Sequence, residues 1–92
     1  MEIEVLAKTS NHLAIKIKGE DHTLGNLLMK EALRHPKVAY ASYRVPHPLR
    51  EEIEFVITVQ EGTDVGEVLR EIVDKIKSEL SDFKNAVEAS IR

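Results

Sequence analysis

Hydrophobic and polar residues alternate in two short segments near the N-terminus. In residues 2–8 and again in residues 12–18, every second position is apolar and most positions between them are charged. A period of two places successive side chains on opposite faces, which is typical of strands with one buried face. Ser10 and Asn11 stand between the segments and favour a turn. The pattern therefore predicts a β-hairpin.

The next segment has its apolar residues at helical spacing. From Thr23 onward the leucines share one stripe, and charged residues occupy the remaining positions. Asp21 or Thr23 can cap the start of this helix, because both side chains can accept a backbone hydrogen bond. Pro36 disfavours helical backbone at the preceding residue, so the helix is expected to end near His35.

Two further strands follow the helix. Residues 38–45 are rich in valine, tyrosine and alanine, and Pro46 and Pro48 stop the strand because proline donates no ladder hydrogen bond. Residues 52–60 alternate again between apolar and polar positions. We expect these two strands to pair with each other.

The last segment is helical from Asp64 to about residue 90. Asp64 with Glu67 resembles a capping box, and apolar residues recur at steps of three and four. The element order ββαββα predicts one α+β domain over residues 1–92, with a four-stranded, largely antiparallel sheet and two helices on one face.

The length of this last helix is the first functional indication. About 27 helical residues span roughly 40 Å, whereas a seven-residue strand spans only about 24 Å. The apolar stripe continues through Leu80, Phe83 and Val87, past the reach of the strands. An apolar stripe beyond the edge of a domain needs another surface to cover it, so a partner is favoured. The alternative is that the helix bends back over its own core.

Composition excludes several classes of protein. The net charge is −3, with 13 basic and 16 acidic residues and no basic run, which argues against autonomous binding of nucleic acid. The absence of cysteine excludes disulfides and thiolate metal sites. The acidic, alternating N-terminus is not a signal peptide, and no segment approaches the roughly 20 apolar residues of a membrane span. We expect a soluble, cytoplasmic protein that does not associate with membranes.

Catalytic and metal sites have little support. Residues 20–22, an acidic pair followed by histidine, could act as a general base, but such a tripeptide before a helix is more often a cap and a surface contact. The aspartates are dispersed, and a polymerase centre needs clustered carboxylates for two metal ions. No glycine-rich phosphate loop is present, so neither a catalytic site nor a cofactor is expected. No two of the four histidines have the sequence spacing of paired metal ligands, such as i and i+4 on a helix. These histidines are His12, His22, His35 and His47.

Two motifs need a further explanation. Residues 20–28 place Gly25 in the first turn of a helix, where glycine costs about 1 kcal/mol relative to alanine. Either a neighbour packs close to the backbone there, or the glycine is ordinary helix-start chemistry. Residues 43–49 hold His47 between two prolines, which keeps this segment extended. A stiff hairpin loop and a contact surface explain this second motif about equally well.

Three segments carry a resemblance to a known family: Glu-Asp-His-Thr-Leu-Gly-Asn-Leu-Leu at 20–28, Val-Ala-Tyr-Ala-Ser-Tyr at 38–43 and Val-Pro-His-Pro-Leu at 45–49. Their order and spacing closely resemble the small alpha-like assembly subunits of archaeal and eukaryotic RNA polymerases, which include archaeal subunit L. Residues 23–26 also look like the corresponding helix start in the dimerisation domain of the bacterial alpha subunit. The brief N-terminus looks more archaeal than eukaryotic.

The resemblance implies a non-catalytic role in a nucleotidyltransferase complex that carries out transcription. Family members form a heterodimer with a larger alpha-like subunit, called D in archaea, and the pair is the platform on which the catalytic subunits assemble. The residues thereby expected to face the partner, or to fix the helices that do, are Thr23, Leu24, Gly25, Leu27, Leu28, Leu80, Phe83 and Val87. The residues expected near other polymerase subunits are Glu20, Asp21, His22, Pro46, His47 and Pro48.

Two other classes of function stay open. An independent nucleic-acid-binding module would show a steep salt dependence of binding by the isolated chain. A small homodimeric enzyme would need a pocket of converging polar residues, and the pattern predicts none.

Overall fold

The computed structural model describes residues 2–76 and 81–91, with the side chains of the second range described from residue 85 onward. The elements in chain order are β1 (Glu2–Lys8), β2 (His12–Lys18), α1 (His22–Arg34), β3 (Val38–Arg44), β4 (Glu52–Val59), α2 (Val65–Lys75) and α3 (Ser81–Ile91). The α+β class is confirmed, and all four strands and α1 lie where the sequence pattern predicts them.

The strands form one antiparallel sheet in the order β1-β2-β4-β3. Across the central pair, Ile15 lies opposite Phe55 and Ile17 lies opposite Ile53. All four side chains are buried, because the helices cover this face of the sheet. The predicted pairing of the third and fourth strands is confirmed, and the first hairpin joins the sheet through β2.

The opposite face of the sheet carries polar side chains paired across the strands. His12 Nδ1 lies 2.8 Å from Thr58 Oγ1 between β2 and β4. Between β3 and β4, the Arg44 guanidinium donates to Glu54 Oε1 at 2.8 Å. Alternating apolar and polar residues therefore produce a sheet with one buried face and one polar face.

The helices begin and end for identifiable reasons. The Asp21 carboxylate accepts a hydrogen bond from the Thr23 backbone N–H at 2.9 Å and caps α1. The Asp64 carboxylate accepts from the Glu67 N–H at 3.2 Å and caps α2. At the other end of α1, His35 has extended backbone before Pro36, as the sequence predicts. These caps satisfy backbone donors that a helix leaves unpaired at its start.

The prediction of one long final helix is wrong. Ile76 takes up extended backbone, with φ −83° and ψ 138°, and ends α2. A separate helix, α3, then packs against both α2 and β1. Lys8 Nζ of β1 donates a hydrogen bond to the Ile91 carbonyl oxygen at 3.0 Å. The C-terminal segment therefore turns back over its own domain, which is the alternative that the sequence left open.

This return explains why the apolar stripe persists. The Val87 side chain is only 2% exposed, and Ile91 is also buried in the common core. Because α2 and α3 both pack apolar side chains against the same core, apolar residues recur at steps of three and four in both helices. Leu80 and the side chain of Phe83 lie outside the described residues.

Candidate partner-binding site

Tyr43 joins the two sequence motifs into one unit. Its hydroxyl donates a hydrogen bond to Asn26 Oδ1 at 2.9 Å and lies 3.1 Å from His22 Nδ1. The rings of His22 and Tyr43 also meet edge to face, with centroids 5.7 Å apart. These contacts fix the first turn of α1 against the end of β3. Residues 20–28 therefore have a defined position relative to the loop that follows β3.

The same tyrosine explains the glycine in the first turn of α1. A Cβ atom added to Gly25 would lie 2.5 Å from Cδ2 of the Tyr43 ring and 2.7 Å from Cε2. Real Cβ atoms essentially never come this close to a neighbour. The close approach inferred at Gly25 is therefore made by a ring of the same chain. An approaching partner is not needed to account for this glycine.

A cleft of about 430 Å³ opens beside this unit. Its lining is mostly charged and comes from the start of α1, the loop after β3 and the start of β4. The lining residues are Glu20, Asp21, His22, Val45, Pro48, Arg50, Glu51 and Glu52.

The cleft brings the two predicted contact motifs to one place. Residues 20–22 and Pro48 are separated in the sequence by all of α1 after its first residue and by all of β3, yet they line the same space. Pro46 is half-buried and His47 is exposed, and neither lines the cleft. Four of the six residues expected near other subunits therefore line one cleft.

Glu52 is the functional candidate that sequence reasoning missed. This first residue of β4 is 7% exposed, and its Oε1 atom has no hydrogen-bond partner among the described residues. Arg50 Nη1 is 4.0 Å away, too far for a hydrogen bond. Lys18 lies opposite Glu52 in the sheet, but its ammonium group pairs with Glu4 at 3.8 Å. In sequence, Glu52 follows another glutamate at a strand start, where a charged residue usually indicates the surface.

The predicted interface residues of α1 separate into two groups. Leu24 and Leu28 are buried in the core of the chain itself, so they fix the helix and do not form an outward surface. Thr23 is exposed and Leu27 is half-buried. Leu33, which belongs to the predicted stripe but not to the predicted interface, is 60% exposed.

Strand β1 carries further exposed apolar groups at the edge of the sheet. Val5 and Leu6 are 38% and 44% exposed, and the ladder with β2 is irregular between Val5 and Ala7. Among the described residues, these two side chains and Leu33 leave apolar surface exposed for a partner to cover. Alternation gave no reason to expect Val5 at the surface, because it shows which residues share a face but not whether that face is covered. Leu6 instead shares the charged face of Glu2 and Glu4, where exposure is expected.

Within residues 2–76 and 85–91, no three or more histidine or acidic side chains are grouped so that they could hold a metal ion. None of the helices in the described ranges is long and apolar enough to cross a membrane.

Residues 12–86 match the family model described as the RNA polymerase Rpb3/Rpb11 dimerisation domain. The chain is 35% identical over 88 residues to the DNA-directed RNA polymerase subunit Rpo11 of Saccharolobus solfataricus, covering 96% of each chain. It is 36% identical over 86 residues to Rpo11 of Korarchaeum cryptofilum, covering 94% of this chain and 88% of the relative.

Similarity extends to a eukaryotic relative and to a crystal structure. The probable DNA-directed RNA polymerase II subunit RPB11 of Caenorhabditis elegans is 34% identical over 90 residues, covering 98% of this chain and 74% of the relative. The fold matches that of RNA polymerase subunit L from Thermoplasma acidophilum with a TM-score of 0.69, at 21% identity and covering 97% of this chain and 87% of the other. The motif at the start of α1, the antiparallel sheet and the match over most of the sequence together make this chain a member of the RNA polymerase Rpb3/Rpb11 dimerisation-domain family.

Proposed function

We propose that this chain is a non-catalytic subunit of a multisubunit DNA-directed RNA polymerase. In this role it pairs with the larger alpha-like subunit, D in archaea, in the cytoplasm, and the heterodimer is the platform on which the catalytic subunits assemble. The observation that carries the proposal is the family match over residues 12–86, whose description names a dimerisation domain. The names of the relatives, all subunits of RNA polymerases, support it.

The arrangement of polar groups supports a structural role for the α1 motif. Asp21 caps the helix, while Tyr43 holds Asn26 and His22 in place. These side chains shape a surface and bond with one another, and the Tyr43 hydroxyl donates its proton to Asn26 and not to the His22 ring. We therefore place the chemistry of RNA synthesis on other subunits.

Exposed apolar side chains indicate where the larger partner would bind. We assign the heterodimer surface to the outer side of α1, with Thr23, Leu27 and the exposed Leu33. We also assign to it Leu80 and Phe83 of the C-terminal segment. Leu24, Gly25 and Leu28 support α1 from within. Covering large apolar side chains is the main favourable contribution to most protein association.

The test is reconstitution from purified subunits. Mixed in equal amounts, this chain and the larger alpha-like subunit should elute as one complex whose mass, measured by light scattering, equals the sum of one copy of each. Leu33→Asp should weaken this complex by about tenfold or more, because it places an unpaired charge in an apolar contact. Lys37→Asp, an exposed change just past the end of α1, is the control and should leave the complex intact. Separate elution of the two wild-type chains would contradict the proposed function.

A further inference from the structure

We propose that the cleft between the start of α1 and the start of β4 binds an arginine side chain of another protein subunit. This inference rests on the proposed function, because the subunit that supplies the arginine is taken to belong to an RNA polymerase. It goes further by naming the chemical group that the cleft recognises and the residue that recognises it.

The buried carboxylate of Glu52 is the first observation. A carboxylate that leaves water loses strong hydrogen bonds, and proteins normally replace them. Here the Glu52 side chain is 9% exposed, yet Oε1 has no hydrogen-bond partner within the described residues. The nearby Arg50 guanidinium stays at 4.0 Å, and its own side chain is 69% exposed. The cleft is therefore lined by a carboxylate whose hydrogen-bonding capacity is not fully used within the described residues.

The charge of the lining is the second observation. Four carboxylates line the cleft, from Glu20, Asp21, Glu51 and Glu52, against the single guanidinium of Arg50. Glu52 is buried and Glu20 is half-buried, whereas Asp21 and Glu51 are exposed. A cation placed in the cleft would be attracted by all four carboxylates, whereas the phosphates of a nucleic acid would be repelled. The lining thus selects a positively charged ligand.

The shape and remaining chemistry of the cleft favour a guanidinium group over a metal ion. A volume of about 430 Å³ is far larger than a single ion needs, and it has room for a long side chain. Asp21 already accepts a hydrogen bond from the Thr23 N–H, so it is not free to turn fully toward an ion. Val45 and Pro48 offer apolar contact for the methylene groups of an arginine. Its planar head has five donors in a fixed geometry, which suits several surrounding acceptors.

The neighbouring loop supports a protein as the source of the arginine. Leu49 is fully exposed, and it lies in sequence between the lining residues Pro48 and Arg50. An exposed apolar residue next to a charged cleft matches the mixed composition of a protein interface, in which an anchoring arginine is surrounded by apolar contacts.

Arginine-specific chemical modification tests the proposal in the assembled complex. Polymerase reconstituted with the wild-type chain would be treated with phenylglyoxal, which modifies accessible arginines, and the peptides of every other subunit would be analysed by mass spectrometry. The same treatment would be applied to complexes containing Glu52→Gln or the control Glu61→Gln. Both variants replace one glutamate by glutamine, but Glu61 is exposed in the turn after β4, at the opposite end of that strand.

The expected result is one arginine of another subunit that is protected from phenylglyoxal in complexes with the wild-type chain and with Glu61→Gln. With Glu52→Gln, its modification should rise to the level seen without this chain. The affinity of that subunit should fall by about tenfold or more, because the pair loses its buried charge. An intact complex in which no arginine depends on Glu52 would overturn the inference and leave the proposed function standing. Glu52-dependent protection of a lysine from acetylation, in place of an arginine, would also overturn it.

Thermal unfolding of the free variant separates recognition from folding. Glu52→Gln keeps the shape of the side chain and removes a buried charge whose cationic neighbour, Arg50, stays 4.0 Å away and mostly exposed, so the melting temperature should stay the same or rise. Lower affinity together with an undiminished melting temperature is expected of a binding residue. Lower affinity that merely follows a fall in the melting temperature would assign Glu52 to the fold and overturn the inference. Failure of wild-type subunits to assemble at all would instead contradict the proposed function.

Discussion

At the scale of single residues, Tyr43 determines the shape of the candidate site. Its ring fills the space that a side chain at residue 25 would need, and its hydroxyl reaches Asn26 and His22 at once. A tyrosine that is only half-buried can do this because its ring packs against the helix while its hydroxyl stays near the surface. The glycine and the tyrosine are therefore one packing unit, contributed by α1 and β3.

The first prediction concerns this unit. Gly25→Ala should lower the free energy of unfolding by about 1–3 kcal/mol, because the added methyl group would overlap the Tyr43 ring. Urea denaturation measures the change. In a chain that already carries Tyr43→Leu, which removes the ring, the same alanine should cost much less. Additive effects of the two substitutions would contradict the proposed contact.

Gly66 in α2 provides the matched control. A Cβ atom there would meet Ile91 Cδ1 at 3.5 Å and Asp64 Oδ2 at 3.4 Å, which are ordinary contact distances. Gly66→Ala should therefore be neutral or should stabilise the chain by up to about 1 kcal/mol, through the higher helix propensity of alanine. A loss equal to that of Gly25→Ala would show that the position of the ring is not the cause.

Much of the site could not be predicted from single residues. The motifs at 20–28 and 43–49 stand out in the sequence, and the resemblance led us to expect both near other subunits. That Tyr43 contacts Gly25 depends on how α1 crosses β3, which no local pattern contains. Glu52 carries no signal at all, since a charged residue at the start of a strand gives no sign that the fold will bury it.

At the scale of elements, the strands were predictable and the last helix was not. Alternation fixes the buried face of β2 and β4 because a shift of one residue would turn every apolar side chain outward. Helical periodicity locates the apolar side of α2 and α3, but it does not reveal where one helix stops when both lie on the same core. Ile76 is apolar and fits the stripe, although it ends α2.

The second prediction compares two apolar residues of α3. Val87→Ala should reduce the free energy of unfolding by about 1–3 kcal/mol, because this buried side chain would leave a cavity. Phe83→Ala should instead weaken binding of the larger alpha-like subunit by roughly thirtyfold or more, as expected for an aromatic residue at an interface centre. Parallel measurements of thermal unfolding and of affinity decide between these roles. The hypothesis for Phe83 is wrong if its variant melts early and affinity falls only with the unfolded fraction.

At the scale of the whole molecule, α3 closes the domain by joining its last element to its first. It packs on α2 and on β1, and it adds Val87 and Ile91 to the core. A domain of this size has a thin core, so two buried aliphatic side chains are a considerable part of its stability. Even so, Val5 on β1 stays 38% exposed, which leaves the N-terminal edge of the sheet only partly covered.

The third prediction concerns this closure. A chain that ends after Ile76 should lose about 3–6 kcal/mol of unfolding free energy, since burying each of the two aliphatic side chains contributes about 1.5–3 kcal/mol. Urea denaturation followed by circular dichroism measures the loss. The control is Lys8→Ala, which removes only the hydrogen bond to Ile91 and should cost about 1 kcal/mol or less. Equal stability of the truncated and full-length chains would show that α3 contributes nothing to the isolated domain.

The strand order also has a consequence for synthesis on the ribosome. The hairpin of β1 and β2 emerges first, but the neighbour of β2 in the sheet is β4, which ends at Val59. At roughly 5–20 residues per second, translation completes β4 about 2–8 seconds after β2 is complete. During that delay the apolar face of the hairpin has no cover. On its other face Glu2 lies opposite Lys18 and Glu4 lies opposite Lys16, and the Lys18 ammonium pairs with Glu4 at 3.8 Å. We expect these opposite charges to favour the register and to keep the nascent hairpin hydrated until the centre of the sheet is made.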